Sequence, residues 1–202
     1  MLTHLKKGLT GEKPETLKDS DLVNAQVANH VIATAYKSLE AAADYVRNQG
    51  YEPIILGDTI TGEAQTVGIS QAQLAREHLS KKMDKPLALI SGGECTVTIP
   101  AGVKGRGGRC SEYLLSLFAA SKDLPHLAAL AADTDGIDGS EKNAGAWFTG
   151  DTRKTGTDQG LAAEPFLAAH DCYGFFAELG ALVETGPTLT NVNDFRIILI
   201  NK

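Results

Sequence analysis

No stretch of this 202-residue chain is long and apolar enough to cross a bilayer: its longest apolar runs, Pro86 to Ile90 and Ile197 to Ile200, fall far short of the roughly 20 residues a spanning helix needs. A membrane partner is not expected. The N-terminus also lacks the apolar core of a signal peptide, which leaves the cytoplasm as the default compartment. Basic charge is in deficit, with 19 Lys and Arg against 25 Asp and Glu, and no broad basic stripe interrupts the balance. General nucleic-acid binding is thereby excluded, while a local basic pocket is not. Three cysteines, Cys95, Cys110 and Cys172, leave one unpaired and show no C-x-x-C or Cys/His ligand spacing, so they read as reduced and structural. Cys110 alone has a reason to ionise, since it follows Arg109 near an expected helix start. Hallmark catalytic motifs are missing too. There is no G-x-x-x-x-G-K-[ST], no G-x-G-x-x-G, no H-E-x-x-H and no G-x-S-x-G, which removes the P-loop, classical dinucleotide, zinc-peptidase and serine-hydrolase readings.

What is present is the composition of a globular protein, 43% hydrophobic and 22% charged, enough for one large domain or two small ones. Residues 1–20 are polar and punctuated by Gly8, Gly11 and Pro14, and are expected to be extended. Strand patterns follow at Val27 to Ala33, Tyr51 to Leu56, Pro86 to Ser91, Glu94 to Pro100, Leu127 to Ala132, Ala144 to Thr149 and Phe195 to Ile200. Helical spacing occupies Ser38 to Asn48, Gly62 to Met83, Ser111 to Ala120, Leu161 to Ala169 and Asp171 to Leu179. The early alternation predicts βαβ units and a largely parallel sheet, and the whole predicts a three-layer α/β/α fold with a mixed sheet.

The densest chemical signal is Lys104-Gly105-Arg106-Gly107-Gly108-Arg109, two arginines on a glycine hinge just before an apolar periodic segment. Gly107 and Gly108 permit close approach of backbone to an anion, and a helix starting near Gly108 would aim unpaired N–H groups at it. Arg106 and Arg109 can reach one anion only if the loop turns between them. A solvated basic turn is the plain alternative. Other polar loops border expected strands, where open α/β sheets build their sites. Ser91-Gly92-Gly93-Glu94 offers a ligand approach, with Glu94 holding a cation or orienting an arginine, or else a tight turn. Asp133-Thr134-Asp135-Gly136-Ile137-Asp138 presents three carboxylates that either hold Mg²⁺ or form Asx-turns. Thr185 to Asp194, which includes Asn191 and Asn193, is either an amide-rich binding loop or a bland connection. In His170-Asp171-Cys172, helix capping by Asp171 is a better account than a catalytic relay, because sequence neighbours on a helix do not face each other.

Taken together, S-G-G-E-C-T-V-T-I, G-R-G-G-R-C-S-E-Y, A-A-D-T-D-G-I-D-G-S-E-K-N-A-G-A, D-C-Y-G-F-F and T-G-P-T-L-T-N-V-N-D-F-R resemble the glycerate 2-kinase family, also known as hydroxypyruvate reductases of the tartrate pathway. The stretch from about Leu89 to Ile200 resembles that family's C-terminal MOFRL domain, and Gly8 to Gly62 the end of its kinase domain. The organisation this implies is 1–20 as a polar segment, 21–85 as the end of the kinase-type domain and 86–202 as the MOFRL-like domain. The resemblance implies transfer of phosphate from ATP, with Mg²⁺, to the 2-hydroxyl of D-glycerate in a cleft between two α/β domains. Arg109 would contact glycerate or the transferring phosphoryl group, seconded by Arg106. Gly107, Gly108 and Glu94 would help bind it, Asp133 and Asp135 would hold the metal, and Asp135, as a catalytic residue, and Asp138 would organise the metal or the substrate hydroxyl. Asn191 and Asn193 would line the cleft. The family's N-terminal half, which contributes a lysine to the active site, has no counterpart here, so the chain is expected to be a poor catalyst without that half as a partner. Cys110 and Cys95 stand where the family usually has Asn and Thr. Two other functions stay open: NAD(P)H-linked reduction of hydroxypyruvate, and a non-catalytic module that binds an anion or nucleotide.

Overall fold

A computed structural model describes residues 2–14, 16–81 and 84–201, which fall into two units divided between Ile32 and Ala33. The first unit holds α1 (Leu2–Leu9) and α2 (Asp19–Leu22), neither with a buried residue. Helix α1 replaces the extended segment expected from composition; Leu2, Leu5 and Leu9 recur at helical spacing, which outweighs the glycines around them. The strand expected at Val27 to Ala33 does not form, since no neighbouring strand pairs with it.

The second unit is built on a six-stranded sheet in the order β1-β3-β8-β5-β6-β7. Its strands are β1 (Glu52–Gly57), β3 (Leu87–Gly93), β5 (Leu127–Asp133), β6 (Gly145–Phe148), β7 (Leu182–Val183) and β8 (Asp194–Ile200). Only β1 and β3 pair in parallel within it; β8 lies antiparallel between β3 and β5. The mixed sheet stands, but the largely parallel one does not, because the C-terminal strand enters the centre from the opposite direction. The expected boundary near residue 85 falls inside this one sheet. Two short strands, β2 (Gly62–Glu63) and β4 (Cys95–Thr96), pair apart from it, and β4 is all that forms of the strand expected over Glu94 to Pro100.

Helices cover both faces. On one, α3 (Ala35–Asn48) lays Leu39, Ala43 and Val46 against Ala88 and Ile90, with Thr34 capping its N-terminus through the Lys37 amide. On the other, α4 (Ala64–Leu79) and α5 (Arg109–Ala120) pack over Leu87, Leu89, Ile198 and Ile200. The alternation of β3 between these two cores is the period-2 rule of a strand buried on both faces. Helix α4 ends before the expected Met83, which lies outside the described residues. Helix α5 is buried at every position from Cys110 to Phe118, which makes it the central helix of its layer. Helices α6 (Gly150–Asp158), α7 (Ala163–Ala168) and α8 (Cys172–Glu178) complete that side. Helix α6 has no apolar stripe and so left no periodic signal in the sequence. Among the described residues no helix is long and apolar enough to cross a membrane.

Candidate functional site

Strands β3 and β5 run in the same direction on either side of β8, so their carboxyl ends meet the start of β8 at one edge of the sheet. Open α/β sheets bind ligands at such ends. The register sets Asp194 opposite both Gly93 and Asp133. Asp133 and Asp194 are buried, and two facing carboxylates out of water repel strongly unless a cation joins them. Arg109, the first residue of α5, is that cation. Its Nε donates to Asp194 Oδ1 at 2.8 Å and its Nη2 to Asp133 Oδ2 at 2.5 Å, with Glu94 Oε1 3.6 Å from Nη2. Burial opposes the Arg109 charge, but Asp194 and Asp133 outweigh it and lift its pKa above the ordinary arginine value. Behind it, the fully buried Arg196 donates from Nη2 to the second oxygen of Asp194 at 2.7 Å and lies over the Tyr113 ring.

Clamped at Nε and Nη2, Arg109 makes no hydrogen bond through Nη1 among the described residues. Its side chain lines a cavity of about 220 Å³ with Gly105, Gly107, Gly108, Glu112 and His170. A larger apolar groove, about 650 Å³, runs along α4 past Leu56 and Ile60. Only one ionisable residue, Glu77, lines that groove, whereas Arg109, Glu112 and His170 line the smaller cavity.

The glycine hinge serves the protein before it serves any guest. Asp138, which is 1% exposed, caps α5 from outside the helix: Oδ1 accepts from the Cys110 amide at 2.9 Å, and Oδ2 from the Ser111 amide at 2.8 Å and the Ser111 hydroxyl at 2.5 Å. The helix N-terminus expected to face a ligand is thus filled by the chain's own carboxylate. That corrects the role expected of Asp138, which is too buried to meet a substrate hydroxyl or a metal. Gly108 is required by this contact, since a Cβ there would lie 2.4 Å from Asp138 Oδ1. We expect Gly108→Ala to cost about 2–3 kcal/mol in a denaturant titration through overpacking alone; an unchanged midpoint would show that the turn can move aside.

Arg106 does not share an anion with Arg109. Its Nε and Nη2 each sit 3.1 Å from an oxygen of Asp171, and its guanidinium lies over Tyr173. The loop turns these two arginines apart because each finds a carboxylate on a different element. Asp171 also caps α8 through the Gly174 amide, as the capping reading required. Gly92 and Gly93 belong to β3 and form no turn; Gly93 is packed too tightly against the Ile60 backbone for a side chain. Cys110 is no reactive thiolate, because burial pushes its pKa well up, and burial also raises Cys95 and Cys172.

The acidic turn does not fit a divalent cation. Asp133 Oδ2 is taken by Arg109 and Oδ1 by the Asp135 amide, while Asp135 Oδ1 accepts from the Ile137 amide and Oδ2 from Asn191 Nδ2 at 3.4 Å. A metal would have to displace a guanidinium. Among the described residues no group of three or more His, Cys, Asp and Glu could hold one. Asp135 and Asn191 border a separate shallow depression, and Asn193 acts through its backbone, accepting from Thr134. Arg196 and Glu112 carry no signal in the sequence, while His170 entered only as part of His170-Asp171-Cys172 and Asp194 only as the end of the amide-rich loop. Asp194 had a signal, as the last polar residue before a buried strand; the others became visible only through their neighbours.

Carboxyl ends of strands meeting over a clamped guanidinium define an α/β protein with a charged cluster at that end of the sheet. Residues 87–194 match the MOFRL family, and the chain belongs to that family. It is 38% identical over 199 residues to a glycerate 2-kinase of Pyrococcus horikoshii, covering 98% of this chain and 44% of that protein. A protein of Agrobacterium vitis provisionally named a hydroxypyruvate reductase is 45% identical over 172 residues, 84% of this chain and 39% of its own length. The crystal structure of a glycerate kinase from Thermotoga maritima superposes with a TM-score of 0.78 at 31% identity, covering 97% of this chain and 49% of that one. The chain therefore spans less than half the length of these relatives.

Proposed function

We propose that this chain supplies the C-terminal part of a glycerate 2-kinase, which transfers the terminal phosphoryl group of ATP to the 2-hydroxyl of D-glycerate. The observation that carries this reading is Arg109, fixed between Asp194 and Asp133 through Nε and Nη2 while lining the cavity. Phosphoryl transfer asks mainly for positioning and for charge placed in advance where the phosphoryl oxygens will pass. A guanidinium already held at two nitrogens needs no reorganisation to receive them. Gly107 and Gly108 border the same cavity, and Glu94 reaches Arg109 from the end of β3, so those residues bind or orient the anion. Arg106, paired with Asp171, stands at the outer side of the loop. Any Mg²⁺ would arrive on the nucleotide, since among the described residues no group of three or more His, Cys, Asp and Glu could hold it.

The reading includes dependence on a second half, as the named kinases are more than twice as long as their match to this chain. The test is ADP release from ATP and D-glycerate, measured with the chain alone and after mixing with the N-terminal region of the Pyrococcus enzyme. Turnover in the mixture and none with the chain alone is expected; no turnover in either would overturn it. The name of the Agrobacterium relative favours a second reading, reduction of hydroxypyruvate, which oxidation of NADH or NADPH by the same mixture would establish.

A further inference from the structure

At the far end of α5 an arginine meets no carboxylate. Arg47, Arg76, Arg106, Arg109 and Arg196 each pair with one at 3.1 Å or closer, whereas Arg153, on α6, reaches none among the described residues. Its surroundings are not aqueous either. The guanidinium carbon lies 4.0 Å from the centre of the Phe118 ring and 5.3 Å from that of Phe148, and Nε is buried with no hydrogen-bond partner among the described residues. Burial accordingly draws the Arg153 pKa down to about 10, opposed by the charge of Asp123, whose two oxygens are each taken by Arg76 at 2.7 Å. A partly buried cation without a counter-charge of its own is destabilising until an anion joins it.

The last turn of α5 answers part of this need. Nη1 donates to Phe118 O at 2.9 Å and Nη2 to the Ser121 hydroxyl at 3.0 Å, so Arg153 clasps the helix C-terminus. A helix end carries only about half a charge, and each terminal nitrogen keeps a second N–H. Arg153 also forms part of the wall of a cavity of about 440 Å³ between α5, α6 and the start of α7. Phe118 and Leu161 give this cavity an apolar side, Thr157 contributes to its wall, and Lys122 pairs with Glu164 at its exposed rim. Two cations against one carboxylate leave it net positive. We propose that the cavity binds a small organic anion, with a carboxylate or phosphate group on Arg153 and a short carbon skeleton against Phe118 and Leu161. Phe118 lies about 14 Å along the α5 axis from Arg109, so this site is separate from the candidate kinase site and stands whether or not that reading does.

Amide NMR of the isotope-labelled 202-residue chain, titrated with butyrate, methyl phosphate, butanol and sodium chloride, tests the proposal. Butyrate or methyl phosphate should shift the amides of residues 157 and 160–164 saturably, with Kd at or below about 1 mM, and the tighter of the two identifies the anionic group. Butanol and chloride at equal concentration should leave those amides in place. Arg153→Gln should remove saturable binding. Lys122→Glu changes only the exposed rim, and should weaken binding by about fivefold or more without moving the melting transition, which keeps the test decisive if Arg153→Gln does not fold. No saturable shift below about 10 mM, equal shifts with butanol, shifts confined to residues 105–109, or an affinity unchanged in either variant would each overturn the proposal.

Discussion

Arg109→Lys is expected to lower kcat for glycerate phosphorylation by about 10²–10³-fold in the reconstituted enzyme. The reason is the fork. Arg109 spends Nε on Asp194 and Nη2 on Asp133, which leaves Nη1 for an incoming anion. Lysine keeps the charge but has one nitrogen, so if it neutralises the aspartates it has no second, fixed donor to present. The fold should tolerate this change better than loss of the charge. In Arg109→Met, Asp133 and Asp194 lose their shared cation inside the protein, and we expect roughly 3 kcal/mol of destabilisation. Chemical denaturation of both variants beside steady-state kinetics separates the two effects. Lysine turnover within about threefold of the parent would remove Arg109 from the mechanism.

Asp138→Ala is expected to be among the most destabilising single changes in residues 33–202, about 3 kcal/mol, or a melting temperature lower by roughly 10 °C. Three donors, the amides of Cys110 and Ser111 and the Ser111 hydroxyl, would lose their acceptor in a fully buried position. Asp138→Asn should recover only part of this. Its amide group turns a donor toward one of those donors, whichever way it is oriented. Differential scanning calorimetry of the two variants checks the order. If alanine costs less than about 1 kcal/mol, the cap is not what starts α5.

Arg109 and Asp138 come from two short motifs whose pairing a sequence conceals. In G-R-G-G-R and D-T-D-G-I-D the residue types announce anions and cations meeting near glycine. Which arginine meets which aspartate depends on a register 85 residues apart, as in Arg109 with Asp194, and on the turn that sends Arg106 to Asp171. Residue type alone does not separate the two arginines, and of the two Arg109 lines the cavity. Likewise Asp133, Asp135 and Asp138 are near neighbours in the chain, yet the first serves a guanidinium, the second a pair of local turns and the third a helix end.

Periodicity alone determined the α/β class, α3, α4, α5 and α8, and most strands, because burial of one face or of both imprints a repeat of 3.6 or 2 on the residues themselves. Motif order alone determined the family. Tertiary structure decided the direction of β8, the closure of the α5 terminus by Asp138 and the pairing of the charges. Those depend on groups distant in the chain being brought within a few ångströms, where the penalty for an unpaired buried charge selects one partner from several.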